Sequence, residues 1–345
     1  MNMMTTQVAF VFPGQGSQAI GMGADVYASS AAARRVFDTV DETLGFSLST
    51  LCFHGPEETL RATINAQPAI TTVSLAFLAA FQEALSPKNF SWSSPLTPAY
   101  TAGHSVGECT TLVAAGVMDL KDAALLVRER GRLMHEDETT CPGGMAALLG
   151  MDAAAAQEIC EEATRQALAS LPADKKVPPG WGQVVIANYN APGQIVISGE
   201  EHALALAMEM AKARGAKRVM PLAVSGAFHS PVMQPAAAKL AHAIESARIN
   251  DAAVPIISNI AAVPLIDEHA LREELAQQVA SSVQWVKTIE YLAGAGVTTF
   301  IEIGPGQALT GMIKRIAKGV TMINIGSVAE VEKAAAQVRD MGLLG

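Results

Sequence analysis

Residues 103–107, Gly-His-Ser-Val-Gly, set one hydroxyl between two glycines, with an acid following at Glu108. A serine is a weak nucleophile at neutral pH. It needs a base within hydrogen-bond reach, and donors for the oxyanion that forms when it attacks a carbonyl. The glycines fit a sharp strand-to-helix turn, where a Cβ two residues to either side would collide with the neighbouring strand and helix while the hydroxyl projects above the sheet edge. The start of the following helix adds unpaired N–H groups and the positive end of a dipole. The same five residues also fit a glycine-rich turn with Ser105 as a helix N-cap, so the remaining parts must be found elsewhere in the chain.

Seven histidines are candidates for the base. His135, His202, His242 and His269 stand among polar or charged neighbours on helix faces or ends, as surface histidines do. His54, in CFHGPEE, has no special context, and His104 sits across a sharp turn from Ser105, where neighbouring side chains diverge. His229 differs: in MPLAVSGAFHSPVM a strand-like run enters a small-residue loop, then the histidine, then Pro231 near a helix start. Strand ends are where sites assemble in sheets of this kind. Alone, such a loop histidine is equally a structural residue; beside an elbow serine it is the favoured base. For the oxyanion, the N–H of Val106 directly follows the nucleophile. FPGQGSQ (12–18) offers a second donor at the glycine-flanked Gln15. A phosphate cradle is the rival reading of that loop, but Gly14, Gly16 and Gly21 match neither GxGxxG nor the P-loop spacing.

One arginine is misplaced for a surface residue. In LKDAALLVRERGRLM (120–134), Leu120, Ala123, Ala124, Val127, Gly131 and Met134 share one helical face, with Glu129 opposite and Arg132 toward solvent. Arg130 falls roughly 70° from the centre of the apolar face, at 100° per residue. Gly131 beside it admits a close backbone. Arg130 either snorkels along that edge or aims its guanidinium into the site to grip a carboxylate through two hydrogen bonds.

The elements that would position these groups follow from the hydrophobic pattern. QVAFVF (7–12) is a buried strand ended by Pro13-Gly14, and AYTAG (99–103) is another; helices follow from Glu108 to about Val117 and from about Leu120 to Met134. VTTFIEIGPG (297–306) and then QALTGMIKRIAKG repeat the order strand, turn, helix. Such alternation predicts a mostly parallel sheet covered by helices. In the middle, GMAALLGM (144–151) and QVVIANYNAPGQIVISG (183–199) read as strands, with the hairpin turn at NAPG (190–193) and helices over 152–170 and 200–215. That order is an α+β unit of ferredoxin-like type, which divides the chain into a core of 1–139 and 216–345 and an insert of 140–215. LPADKKVPPGWGQ (171–183) reads as an exposed loop.

Composition bounds the rest. A chain of 345 residues, half of them hydrophobic, fits one large domain or a main domain with an insert. A formal net charge of −9 argues against nucleic acid as a partner. Cys52, Cys109, Cys141 and Cys160 form no CxxC pair and no zinc spacing, as expected of reduced thiols in a cytoplasmic protein without a metal site. MNMMTTQVAFVFPGQG lacks a basic leader, and no stretch approaches about 18 uninterrupted apolar residues, so no membrane association is expected.

Taken in order, FPGQGSQ, NAQPAI (65–70), GHSVGE (103–108), RERGRLM (128–134), NAPGQIVISG (190–199), GAFHSPVM (226–233), VQWVKTIEYL (283–292) and EIGPGQALTGMIKR (302–315) span essentially the whole chain. With them the chain resembles the malonyl-CoA:acyl carrier protein transacylases. The resemblance implies an α/β-hydrolase-like core with a ferredoxin-like insert, Ser105 as nucleophile and His229 as its base. It implies oxyanion donors from Gln15 and Val106, and Arg130 as the group that binds the malonyl carboxylate, with His104 as a second substrate-binding residue. In place of a triad acid, the main-chain carbonyl of Gln278, in AQQVASSVQW, would orient the histidine. GAFHS resembles the malonyl-type loop rather than the YASH form associated with methylmalonyl groups. The implied partners are malonyl-CoA and the phosphopantetheine thiol of an acyl carrier protein, with no metal or redox cofactor, in fatty acid or polyketide synthesis. Three alternatives stay open at this point: a transacylase serving a polyketide synthase or malonate decarboxylase carrier, a thioesterase or esterase, and an inactive carrier-binding scaffold.

Overall fold

The computed structural model describes residues 7–86, 96–136, 141–171, 177–224 and 226–344. Its strands are β1 (Gln7–Phe12), β2 (Tyr100–Gly103), β3 (Gly143–Leu149), β4 (Val184–Ala191), β5 (Gln194–Glu200), β6 (Arg218–Pro221), β7 (Ile256–Ile257), β8 (Pro264–Leu265), β9 (Val297–Ile303) and β10 (Thr321–Ile325). The larger sheet runs in the order β10, β9, β1, β2, β7, β8. It is parallel except for β8, so the expected α/β architecture with a mostly parallel sheet is observed. Both faces are covered, and that is why β1 is a continuous apolar run whose residues after Gln7 are all buried. The helix after β2 is Val106–Ala114, starting two residues before the expected Glu108; Leu120–Glu136 and Ala308–Ile316 fall where their patterns place them.

Among the elements the sequence reading did not place, one is central to the fold. Thr63–Leu85 is a helix of 23 residues with a mean hydropathy of 1.4 in its most apolar window, enough to cross a membrane by length and composition. In the fold, 89% of that window is buried, which makes it the central core helix. It packs against the helices Ala31–Leu44, Val106–Ala114 and Leu120–Glu136.

The smaller sheet has the order β4, β5, β3, β6, with every neighbouring pair antiparallel. The helices Ala153–Ala169 and Glu201–Ala213 pack against it around Ile159, Ile186 and Ile197. The hairpin turns at Pro192-Gly193, where Gly193 takes φ +69° as the expected NAPG turn requires. The run leading toward His229 is not a strand of the parallel sheet, as the sequence reading had it. Its strand, β6, pairs with β3 in the smaller sheet. Backbone bonds from Tyr189 N to Val283 O (2.9 Å) and from Val283 N to Ala187 O (2.8 Å) fasten β4 to the larger unit. A cleft between the two is lined by Gln15, His104, Ser105, Asn188, Phe228 and His229.

Gly131 sits where the helices Leu120–Glu136 and Thr63–Leu85 come closest. A Cβ there would lie 2.9 Å from Thr63 O and 3.0 Å from Ile64 Cα. Helix propensity alone would make Gly131→Ala stabilising by about 1 kcal/mol. The contacts are with backbone and cannot yield cheaply, so we expect a net destabilisation of about 1–3 kcal/mol. The urea midpoint decides it: a rise in the variant would mean that the two helices separate without cost.

Candidate active site

Ser105 sits between the last residue of β2 and the first helical residue, Val106, with φ 55° and ψ −112°. A non-glycine residue held there stores roughly 1–3 kcal/mol of backbone strain. The glycines are needed for the reason read from the sequence. A Cβ on Gly103 would lie 1.9 Å from the carbonyl carbon of Gly107, and one on Gly107 would lie 2.2 Å from Phe12 O. Asn259 staples the turn: its Oδ1 accepts from Ser105 N (2.8 Å) and its Nδ2 donates to Gly103 O (2.7 Å). The N-cap reading of Ser105 fails, because its side chain makes no capping bond. The Oγ instead lies 2.7 Å from His229 Nε2.

His229 is buried and its backbone is also strained, at φ 58°. Its Nδ1 lies 3.0 Å from Gln278 O and 3.0 Å from Ser281 O. Both are carbonyls, so Nδ1 carries the proton and Nε2 presents a lone pair to the serine hydroxyl. The expected carbonyl of Gln278 is therefore in place, and Ser281 supplies a second that the sequence reading did not name. Burial, reinforced by the Arg130 charge, pushes the His229 imidazole down to about 3. The histidines set aside as surface residues, with His54, are all exposed.

Arg130 is only 2% exposed, so it does not snorkel. Its Nη1 donates to Gln67 Oε1 (2.5 Å) and its Nη2 to Gln278 Oε1 (2.6 Å), with Ser105 Oγ 3.5 Å away. The helix edge that carries Arg130 is covered by Gln67, from the central helix, and by the turn at Gln278–Ala280. His104 does diverge from Ser105: its Nε2 bonds Asn190 Oδ1 on β4 (2.8 Å), and its ring meets the edge of Trp285 at 5.5 Å. Burial lowers its pKa. Gln15 lines the cleft at the end of β1, its side chain held by Thr63 Oγ1 at 3.2 Å, and Val106 opens the helix beside Ser105.

The arrangement sets a hydroxyl against one nitrogen of an imidazole whose other nitrogen faces two carbonyls, with a buried cation 3.5 Å from the hydroxyl oxygen. A family model described as an acyl transferase domain matches residues 9–338. The malonyl CoA-acyl carrier protein transacylase of Bacillus subtilis is 43% identical over 335 residues, covering 97% of this chain and 98% of the relative. This chain belongs to the malonyl-CoA:acyl carrier protein transacylase family. The Escherichia coli member is 40% identical over 92% of this chain and 94% of its own length. Among solved structures, the Coxiella burnetii transacylase superposes with a TM-score of 0.86 at 35% identity, covering 97% of this chain and 98% of that one. A malonyl-transacylase solved in complex with its type II PKS acyl-carrier protein gives 0.86 at 35% identity, over 96% and 100% of the two chains.

Sequence reasoning missed the residues that hold the reacting groups. Gln67 and Glu108 lie inside the quoted segments NAQPAI and GHSVGE, so a closer reading of those segments would have found them. Asn259 stands more than 150 residues from Ser105 in the chain, with no local pattern to mark it.

An imidazole held near 3 stays a free base through the mildly acidic range, whereas an ordinary one protonates near pH 6.5. We expect the second-order rate of Ser105 phosphonylation by a fluorophosphonate to stay level from neutral pH down to about pH 5. A loss of rate with an inflection near 6.5 would show that His229 titrates as if exposed.

Proposed function

We propose that this chain transfers a malonyl group from malonyl-CoA to the phosphopantetheine thiol of an acyl carrier protein through a malonyl ester on Ser105. The observation that carries the reading is Arg130: a buried guanidinium 3.5 Å from the nucleophile whose acceptors are two neutral amides. An acyl group ending in a carboxylate is the partner such a cation lacks. His104, which lines the cleft, is the second substrate-binding residue. The names of the curated relatives and the solved carrier complex support both substrates.

In the first half-reaction Ser105 Oγ attacks the thioester carbonyl carbon as its proton passes to His229 Nε2. The N–H groups of Gln15 and Val106 receive the oxyanion, each worth about 3 kcal/mol on the usual mutational scale. The C–S bond breaks, and coenzyme A leaves with the proton from His229. In the second half-reaction the carrier thiol gives its proton to His229 and attacks the ester, and Ser105 is regenerated. Through both halves the carbonyl of Gln278 keeps the imidazole oriented and stabilises its transient positive charge. A thioesterase would need water in place of the thiol; Arg130 does not discriminate between these, so the lifetime of the ester does.

The fold reading belongs with this proposal. The strand order and directions support an α/β-hydrolase-like core of 1–139 and 216–345, and a ferredoxin-like insert of 140–215. We extend the insert to Pro221, because β6 completes the smaller sheet. A cytoplasmic location fits the four free, buried cysteines.

Exposing the protein to malonyl-CoA without a carrier should give one malonyl adduct, on Ser105, that hydrolyses slowly and moves to a carrier thiol when one is added. Ser105→Ala should show none by mass spectrometry while remaining folded; an adduct at full stoichiometry in that variant would remove the nucleophile from Ser105. For Arg130→Ala, kcat/KM for malonyl-CoA should fall by about a hundredfold or more, since breaking a buried charged contact costs roughly 3–5 kcal/mol. Acetyl-CoA should lose far less, and Arg130→Lys should recover only part, lacking the planar fork. An unchanged malonyl-to-acetyl ratio in Arg130→Ala would mean that the carboxylate is read elsewhere.

A further inference from the structure

Behind Arg130 lies a polar cluster that the acyl-transfer steps do not use. Glu108 is 1% exposed; its Oε1 accepts from Asn259 N (2.8 Å) and its Oε2 from Gln278 Nε2 (2.6 Å). Glu274 faces it: Oε1 accepts from Ile260 N (3.0 Å) and Oε2 from Ser258 Oγ (2.6 Å). The two carboxyls are thus held on one three-residue stretch, Ser258 to Ile260, each accepting from it. Two carboxyls held side by side away from water do not both ionise, so the pair holds one proton. Burial, and next the facing Glu274, push Glu108 well above the ordinary carboxyl range.

The hydrogen-bond inventory around Gln278 then has one solution. Its Nε2 spends both hydrogens, one on Ser105 O (2.9 Å), a carbonyl that cannot donate, and one on Glu108 Oε2 (2.6 Å). Its Oε1 must therefore face Arg130, which can only donate, and it does so at 2.6 Å. We propose that Glu108 is a positioning residue for malonyl specificity: it locks the Gln278 amide with its oxygen on Arg130, and so keeps the guanidinium aimed at the acyl group. This rests on the role given to Arg130 under Proposed function.

The lock is asymmetric, and that makes it testable. In Glu108→Gln the new NH2 meets a donor wherever it turns, either Asn259 N–H or Gln278 Nε2. In the second case the Gln278 amide turns over and sets its own NH2 against Arg130. Glu274→Gln is different. Its NH2 can stand where the shared proton stood, and the Ser258 hydroxyl can rotate to accept from it, leaving the charge of the pair unchanged.

The experiment measures kcat/KM for acylation of Ser105 by malonyl-CoA and by acetyl-CoA in the wild type and both variants. In Glu108→Gln the malonyl-to-acetyl ratio should fall about tenfold or more, chiefly through KM for malonyl-CoA, whereas Glu274→Gln should hold it within about twofold. Equal losses toward both thioesters in Glu108→Gln, or a collapsed ratio in Glu274→Gln, would overturn the proposal. Infrared spectra do not depend on the Glu108 variant folding. Wild type at neutral pH should show the C=O stretch of a protonated buried carboxyl, missing from Glu274→Gln, and its absence from the wild type would equally overturn the shared proton. Failure of malonyl-CoA to acylate the wild type would instead count against the proposed activity, leaving the infrared result to judge the pair.

Discussion

A guanidinium buried as deeply as Arg130 has to find acceptors, and the way it finds them shapes the whole site. The acceptors are two amide oxygens, from Gln67 and Gln278, with Glu108 kept one residue further back. Had a carboxylate stood in either place, the result would be a closed ion pair that an incoming carboxylate would have to break. Neutral acceptors satisfy the N–H groups without neutralising the charge. Bringing them together takes three separated elements: the central helix for Gln67, the helix Leu120–Glu136 for Arg130, and the short turn at Gln278–Ala280. The bare backbone at Gly131 lets the first two approach.

Gln278 is the joint between binding and chemistry. Its carbonyl orients His229 while its side chain bonds Arg130, Glu108 and the carbonyl of Ser105. Ser105 and His229, both strained, are thus held from the same point. Asn259 secures the other side of the elbow, and is itself fixed by its N–H bond to Glu108. Strain of this kind persists only where surrounding bonds over-determine the backbone.

Much of this was legible in the sequence, for reasons that are local. The glycines at 103 and 107, the strand before them and the helix after them all fall within residues 100–114, so their steric logic can be read directly. His229 was legible by elimination, its competitors standing among polar neighbours. The central helix escaped notice because it is buried on nearly every side and carries no amphipathic period. Strands β7 and β8 have two residues each, too few for any periodicity to show. β6 is largely exposed on the edge of the smaller sheet, and its pairing with β3 depends on the intervening chain. Asn259, Glu274 and the side chain of Gln278 act by meeting residues far away in sequence, and only the fold brings them together.

The central claim is that one buried cation reads the carboxylate while the adjacent serine carries the acyl group. Its most direct test is a crystal structure of the protein cooled after reaction with malonyl-CoA in the absence of a carrier. The account predicts an ester on Ser105 Oγ, its carbonyl oxygen between the N–H groups of Gln15 and Val106, and the free carboxylate held by both terminal nitrogens of Arg130. An ester whose carboxylate points to solvent or to Arg61, which also lines the cleft, with Arg130 still bonded only to Gln67 and Gln278, would contradict it.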